Sequence, residues 1–136
     1  MASPETFVVV RDTLSASWSA TPVHYENDGS DTPEPPAHFI FVEVVGDLLG
    51  QQSIGAGSRD ENLWRETGTL YLHVMAPNGE GSLTARQHGR DVANLFRGRD
   101  IDTVTFGNAS LGAGEPGDDD GNYWRFTVTI DWQRDQ

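Results

Sequence analysis

The sequence predicts a small sheet with a helix lying tightly against it, and two changes of period point to that pairing. Between Leu70 and Met75 the chain alternates, with Leu70, Leu72 and Val74 on one side and Tyr71, His73 and Met75 on the other, as a half-buried strand does. From Ser82 onward Ala85, Gly89, Val92 and Phe96 recur at helical spacing, with Leu95 beside them. Pro77, Asn78, Gly79 and Gly81 separate the two, because proline lacks a ladder donor and glycine accepts turn conformations. Ser82 is the expected N-cap and Gly98 the expected stop. Gly89 costs about 1 kcal/mol of helix propensity relative to alanine, so its place on the buried stripe predicts a close approach of the helix backbone to the sheet.

Taken in order from the N-terminus, Phe7, Val10, Leu14 and Trp18 fall on one helical stripe, and Ser3, Pro4 and Glu5 supply a cap and first turn. Phe7 to Val10 has β propensity, but Arg11, Asp12, Ser15 and Ser17 fit a helix's outer face better. Thr21-Pro22-Val23 starts an extended segment, since the residue before proline is pushed out of the α region. Residues 27–36, rich in Asp, Gly, Ser and Pro, read as an exposed loop. His38 to Val45 is β-branched and aromatic on both faces, which predicts a central strand. Residues 46–66 carry Gly50, Gly55 and Gly57 with little continuous apolar character and read as a long loop. Connections longer than roughly 12 to 15 residues are usually functional or disordered, so this one is a candidate working part. Asp102 to Ser110 and Tyr123 to Trp132 read as two further strands, the second with Trp124, Phe126, Val128, Ile130 and Trp132 on one face. The glycine-rich, acidic stretch 111–122 reads as a long hairpin loop between them.

At 136 residues the chain is expected to form one domain, 1–136, with a single core. No apolar run approaches the roughly 20 residues that span a bilayer, and no basic-then-apolar leader opens the chain. Cysteine is absent, which excludes disulfides and thiolate metal sites. A net charge of -12 argues against nucleic acid as a ligand, since phosphates are bound mainly by neutralising them with Lys and Arg. All nine basic residues are arginines, whose planar forks suit fixed ion pairs at protein contacts.

Motifs for chemistry are missing. Asp118-Asp119-Asp120-Gly121-Asn122 lacks the alternating ligands of an EF-hand and reads as a solvated turn. His24, His38, His73 and His88 show no metal-ligand spacing. No GxSxG elbow is present, and Asn78-Gly79-Glu80-Gly81 lacks the lysine of a phosphate loop. Neither enzyme activity nor a cofactor or metal is expected. Trp18, Trp64 and Trp124 read as core or interface anchors, and Trp64, inside the polar stretch 46–66, is the one a subunit core does not explain.

Trp18 with Thr21-Pro22-Val23 and Glu26-Asn27, Gln52-Ser53-Ile54-Gly55, Arg65, Gly68-Thr69-Leu70, Pro77-Asn78-Gly79-Glu80-Gly81 and Ala93-Asn94-Leu95-Phe96, in that order, resemble the tail terminator (tail completion) proteins of long-tailed phages. The resemblance implies an α+β fold, a twisted, mostly antiparallel sheet with helices packed on one side. It also implies a structural virion protein that forms a hexameric ring, caps the tail tube, ends its polymerisation and meets the neck protein of the head. The particle would assemble in the host cytoplasm, with no membrane partner, and the genomic DNA would pass through an acidic lumen without sequence-specific binding. A heterologous ring would bury loop surface against a neighbour. The expected interface residues are Gln52, Ile54, Arg59, Trp64 and Arg65, with Glu115 and Asp119 in a second contact. A tail tube or neck subunit is the alternative of the same class. A monomeric small-ligand module, suggested by the aromatic strand from Tyr123 to Trp132, is the alternative of another class.

Overall fold

The computed structural model describes residues 2–53, 57, 59, 62–116 and 121–136. Its elements are α1 (Pro4–Ser17), β1 (Val23–Tyr25), β2 (Phe39–Gln51), β3 (Trp64–Pro77), α2 (Leu83–Ala93), β4 (Asp100–Ile101), β5 (Val104–Pro116) and β6 (Tyr123–Asp135). They form one six-stranded sheet in the order β1-β2-β3-β6-β5-β4, antiparallel throughout except for the parallel pair β1–β2. Both helices pack on the face that presents Ile40, Val42, Val44, Leu70, Leu72, Val74, Phe126, Val128 and Ile130. The expected α+β architecture is therefore the one found.

α1 begins where the sequence places it. Ser3 caps it in an extended conformation, Pro4 opens the first turn, and the helix ends with Trp18 at the C-cap. Val9, Val10 and Leu14 enter the core, so the buried stripe is rotated by about one residue from the predicted one, and Phe7 and Trp18 pack at its margin. In α2 the predicted stripe holds: Ala85, Gly89, Val92 and Phe96 are all buried. A Cβ on Gly89 would lie 2.7 Å from Cε2 of Phe126 and 3.3 Å from Cγ2 of Val128. That contact is why glycine stands there despite its helix cost. The α-helix stops at Ala93, earlier than Gly98, and the next turns tighten through Leu95 N–H to Val92 O and Phe96 N–H to Ala93 O. Gly98 then takes a positive φ of 67°.

Three sequence expectations need correction. The strand from His38 lies second from the edge, and the centre of the sheet is the β3–β6 pair. Its two-sided apolar character has another cause. The 27–38 segment folds over the far face, where Phe39, Met75 and Tyr123 form a small separate cluster and the Tyr123 hydroxyl donates to Pro33 O at 3.2 Å. The supposed loop 46–66 is strand in part, because Gly46 to Gln51 pair with Trp64 to Gly68. The same holds for 111–122, whose first half extends β5 along β6 as far as Pro116. Both extensions cross register shifts, at Gly46/Leu48 in β2 and at Phe106/Ala109 and Leu111/Gly114 in β5. A bulge breaks the alternation of side chains, which removes the period-two signal.

A partly buried histidine gives the fold a pH dependence. His88 of α2 meets Trp18 edge-on at 5.9 Å between ring centroids and His38 at 5.4 Å. Burial first, and His38 second, push its imidazole below the ordinary value of 6.5. The unfolded chain thus binds a proton that the folded one resists, so stability is full above about pH 6.5 and declines as pH falls through the lowered folded value. The melting temperature should drop between about pH 7.5 and about pH 5.5, and His88→Gln should flatten that drop. A wild-type profile no steeper than that of the variant would contradict this account.

Candidate assembly surface

Beyond Gly46, β2 runs on as an edge arm beside residues 64–68 of β3, which β6 flanks on their other side, and among the described residues this arm has little cover from its own subunit. Leu48 and Leu49 are 65% and 48% exposed, and Val45 and Leu63 are exposed beside them. Asp47 is the unpaired residue of the bulge, so the two leucines that follow it stand on opposite faces, Leu48 level with Thr67 and Leu49 level with Glu66. Single exposed apolar residues are ordinary, but four this close together, spread over both faces of the strand end, leave apolar surface that water does not favour.

The predicted interface residues separate into three groups. Gln52, Arg59 and Trp64 lie at the tip. Gln52 N–H donates to Leu63 O at 2.7 Å, and the half-buried Trp64 donates its indole N–H to Arg59 O at 2.8 Å. Arg65 and Glu115 belong to strands and are tied within the subunit. Arg65 grips Asp135 of β6 with two hydrogen bonds, at 2.7 Å and 3.1 Å, and Glu115 of β5 accepts from Arg125 of β6. The bond from Arg65, aided by its charge, holds the Asp135 carboxyl below the usual carboxylate range. Ile54 and Asp119 lie outside the described residues, as do Asp118 and Asp120 of the acidic run.

Two polar constructions escaped sequence reasoning. At the base of the arm the Glu66 side chain, in a residue only 7% exposed, accepts from Ser3 N–H at 2.9 Å, Ser3 Oγ at 2.7 Å and Thr6 Oγ1 at 3.1 Å. A carboxylate from β3 thus closes the start of α1, where free N–H groups and the helix dipole favour negative charge. On the far face His73 joins Glu43, Nε2 to Oε1 at 2.5 Å, and Thr127, Nδ1 to Oγ1 at 2.8 Å. Carboxylate, imidazole and hydroxyl in line resemble a nucleophilic relay. The backbone N–H groups around Thr127 lie in the plane of the sheet, however, while its hydroxyl rises from it, so they do not converge where an oxyanion would form. The chain crosses β2, β3 and β6 and fixes their register, since each link requires its neighbour strand at one level.

Among the described residues no group of three or more His, Asp or Glu side chains is placed to hold a metal ion, and no helix is long and apolar enough to cross a membrane. The space between α2 and the sheet is filled by Phe126, Val128 and Val92. Open grooves lie elsewhere, one of about 770 Å³ running between α1 and the segment 99–102.

Comparison with known proteins gives a family relationship and likenesses to several solved structures. The profile of a family described as phage tail terminator protein matches residues 9–132. One solved structure superposes over 94% of this chain and 94% of its own with a TM-score of 0.61 at 17% identity, a likeness of fold alone. No curated protein matches the chain.

Proposed function

The chain belongs to the phage tail terminator protein family, and from that membership we propose that it assembles as a ring of identical subunits, six in number, that closes the end of the tail tube. The family is structural, which makes the protein a component of the phage tail. In this reading the ring ends tube polymerisation and offers its other side to the neck protein of the head. The genome passes through a lumen whose acidity repels phosphates, in keeping with the net charge of -12. The observation that carries the reading is the family match, which spans nearly the whole chain, and the exposed leucine arm supports it. Gln52, Arg59, Trp64 and the neighbouring Ile54 serve as tip contacts, and Glu115 and Asp119 as a second contact. Arg65 contributes as an oriented ion pair with Asp135. Native mass spectrometry of the protein with polymerising tail tube subunits tests this. A discrete ring that caps tubes and halts their growth is expected. A protein that stays monomeric, with tube growth unaffected, would refute the proposal.

A further inference from the structure

The sheet ends in two edges that its own subunit covers only in part. β1 pairs with β2 at residues 40–42 and Glu26 takes the Val44 N–H at 3.2 Å, but, among the described residues, 45–51 have only β3 beside them. At the opposite edge β4 pairs with Val104 and Thr105, and Gly98 N–H donates to Gly107 O at 2.9 Å. Among the described residues, 108–116 beyond have only β6 beside them. Proteins blunt such edges with lysine, proline or inward charge. This chain contains no lysine, and the two open stretches carry one acidic residue each, Asp47 and Glu115, with Pro116 closing the second and a bulge in both. Each open stretch nonetheless exposes leucine, Leu49 at 48% and Leu111 at 50%.

We propose that residues 45–51 of β2 pair antiparallel with residues 108–116 of β5 in a second copy of this chain. Strand direction permits it. β2, β3, β6 and β5 are four successive antiparallel strands, so β2 and β5 run oppositely, and a copy related by rotation about a ring axis brings unlike edges together with the alternation intact. Side-chain direction permits it too. Centring one stretch on the other sets Leu49 opposite Leu111. Leu49 is level with Glu66, which faces α1, and Leu111 is level with Val128 of the core, so both leucines project from the helix-bearing face. A slip of one residue would part them.

The stagger between copies also fits a closed ring. Leu49 is level with Glu66 and Arg134, whereas Leu111 is level with Val128 and Leu72, a separation of six residues along β3 (66 to 72) and along β6 (134 to 128). That is roughly 20 Å of displacement for every four strands, which span about 19 Å. The strands would tilt by about 45° to the ring axis, at the upper end of the range in closed barrels.

This pairing rests on the ring reading, and the absence of cysteine makes it testable by cross-linking. Leu49→Cys and Leu111→Cys, both at exposed positions, are prepared separately, mixed and oxidised. Directly opposite residues stand within disulfide reach, so the mixture should yield a one-to-one dimer that neither variant forms alone. The doubly substituted chain should give a ladder ending at the ring, and Leu48→Cys, on the other face, should lose the link to Leu111→Cys. Native rings of the unlinked protein with no link between positions 49 and 111 would overturn the edge pairing and leave the ring standing. A chain that remains monomeric even with tube subunits would overturn both.

Discussion

Gly68→Ala should lower the melting temperature by about 10 °C, from a loss of about 3 kcal/mol by overpacking in a chain of this size. Gly68 sits on β3 between Gly46 of β2 and Trp132 of β6. A Cβ there would stand 2.1 Å from the Val45 carbonyl oxygen and 2.5 Å from Cζ2 of the Trp132 indole. Neither neighbour can retreat: the carbonyl belongs to the backbone of β2, and Trp132 is buried in the core. Gly107→Ala on β5 is the matched control, since its Cβ would meet nothing nearer than the Asp131 carbonyl oxygen at 3.6 Å, an ordinary contact. That variant should stay within about 0.5 kcal/mol of the parent. Equal melting temperatures for the two would show that the sheet relaxes at Gly68.

How much of this could be read in advance follows from which residues are buried. Where burial is one-sided the period is clean, and β6 and α2 were legible for that reason, down to the close approach at Gly89. The outer halves of β2 and β5 were not. Their leucines are exposed, their registers shift at bulges, and Gly46, Gly50, Gly112 and Gly114 imitate loop composition. Glycine there has a packing cause: a Cβ on Gly114 would lie 1.6 Å from Cζ2 of Trp124. Trp64, which composition alone leaves unexplained by a subunit core, is half-buried with its indole N–H on Arg59 O, and Arg65 beside it is held by Asp135. Glu43–His73–Thr127 and Ser3–Glu66 join residues 30 to 63 positions apart, with no local pattern to announce them.

The longest of those links carries the second large effect. Glu66→Ala should cost about 3 kcal/mol, because Ser3 N–H and the hydroxyls of Ser3 and Thr6 lose one shared charged acceptor in a site with little access to water. Glu66→Gln keeps the shape and one acceptor oxygen, so its loss should be about half as large, from the lost charge and from the second oxygen, which becomes an NH2 donor. The location of the damage separates this latch from general destabilisation. α1 reaches the sheet through Val9, Val10, Leu14 and the Glu66 contact, whereas α2 is anchored through Gly89 against Phe126, away from that carboxylate. Hydrogen exchange in Glu66→Ala should therefore accelerate in the amides of α1 while those of α2 keep most of their protection. Leu49 pairs with Glu66, so amides in residues 45–51 should loosen with α1, which would tie the seating of the N-terminal helix to the edge offered to a second copy. Equal acceleration in α1 and α2 would mean that Glu66 acts only through global stability and that the latch has no local identity.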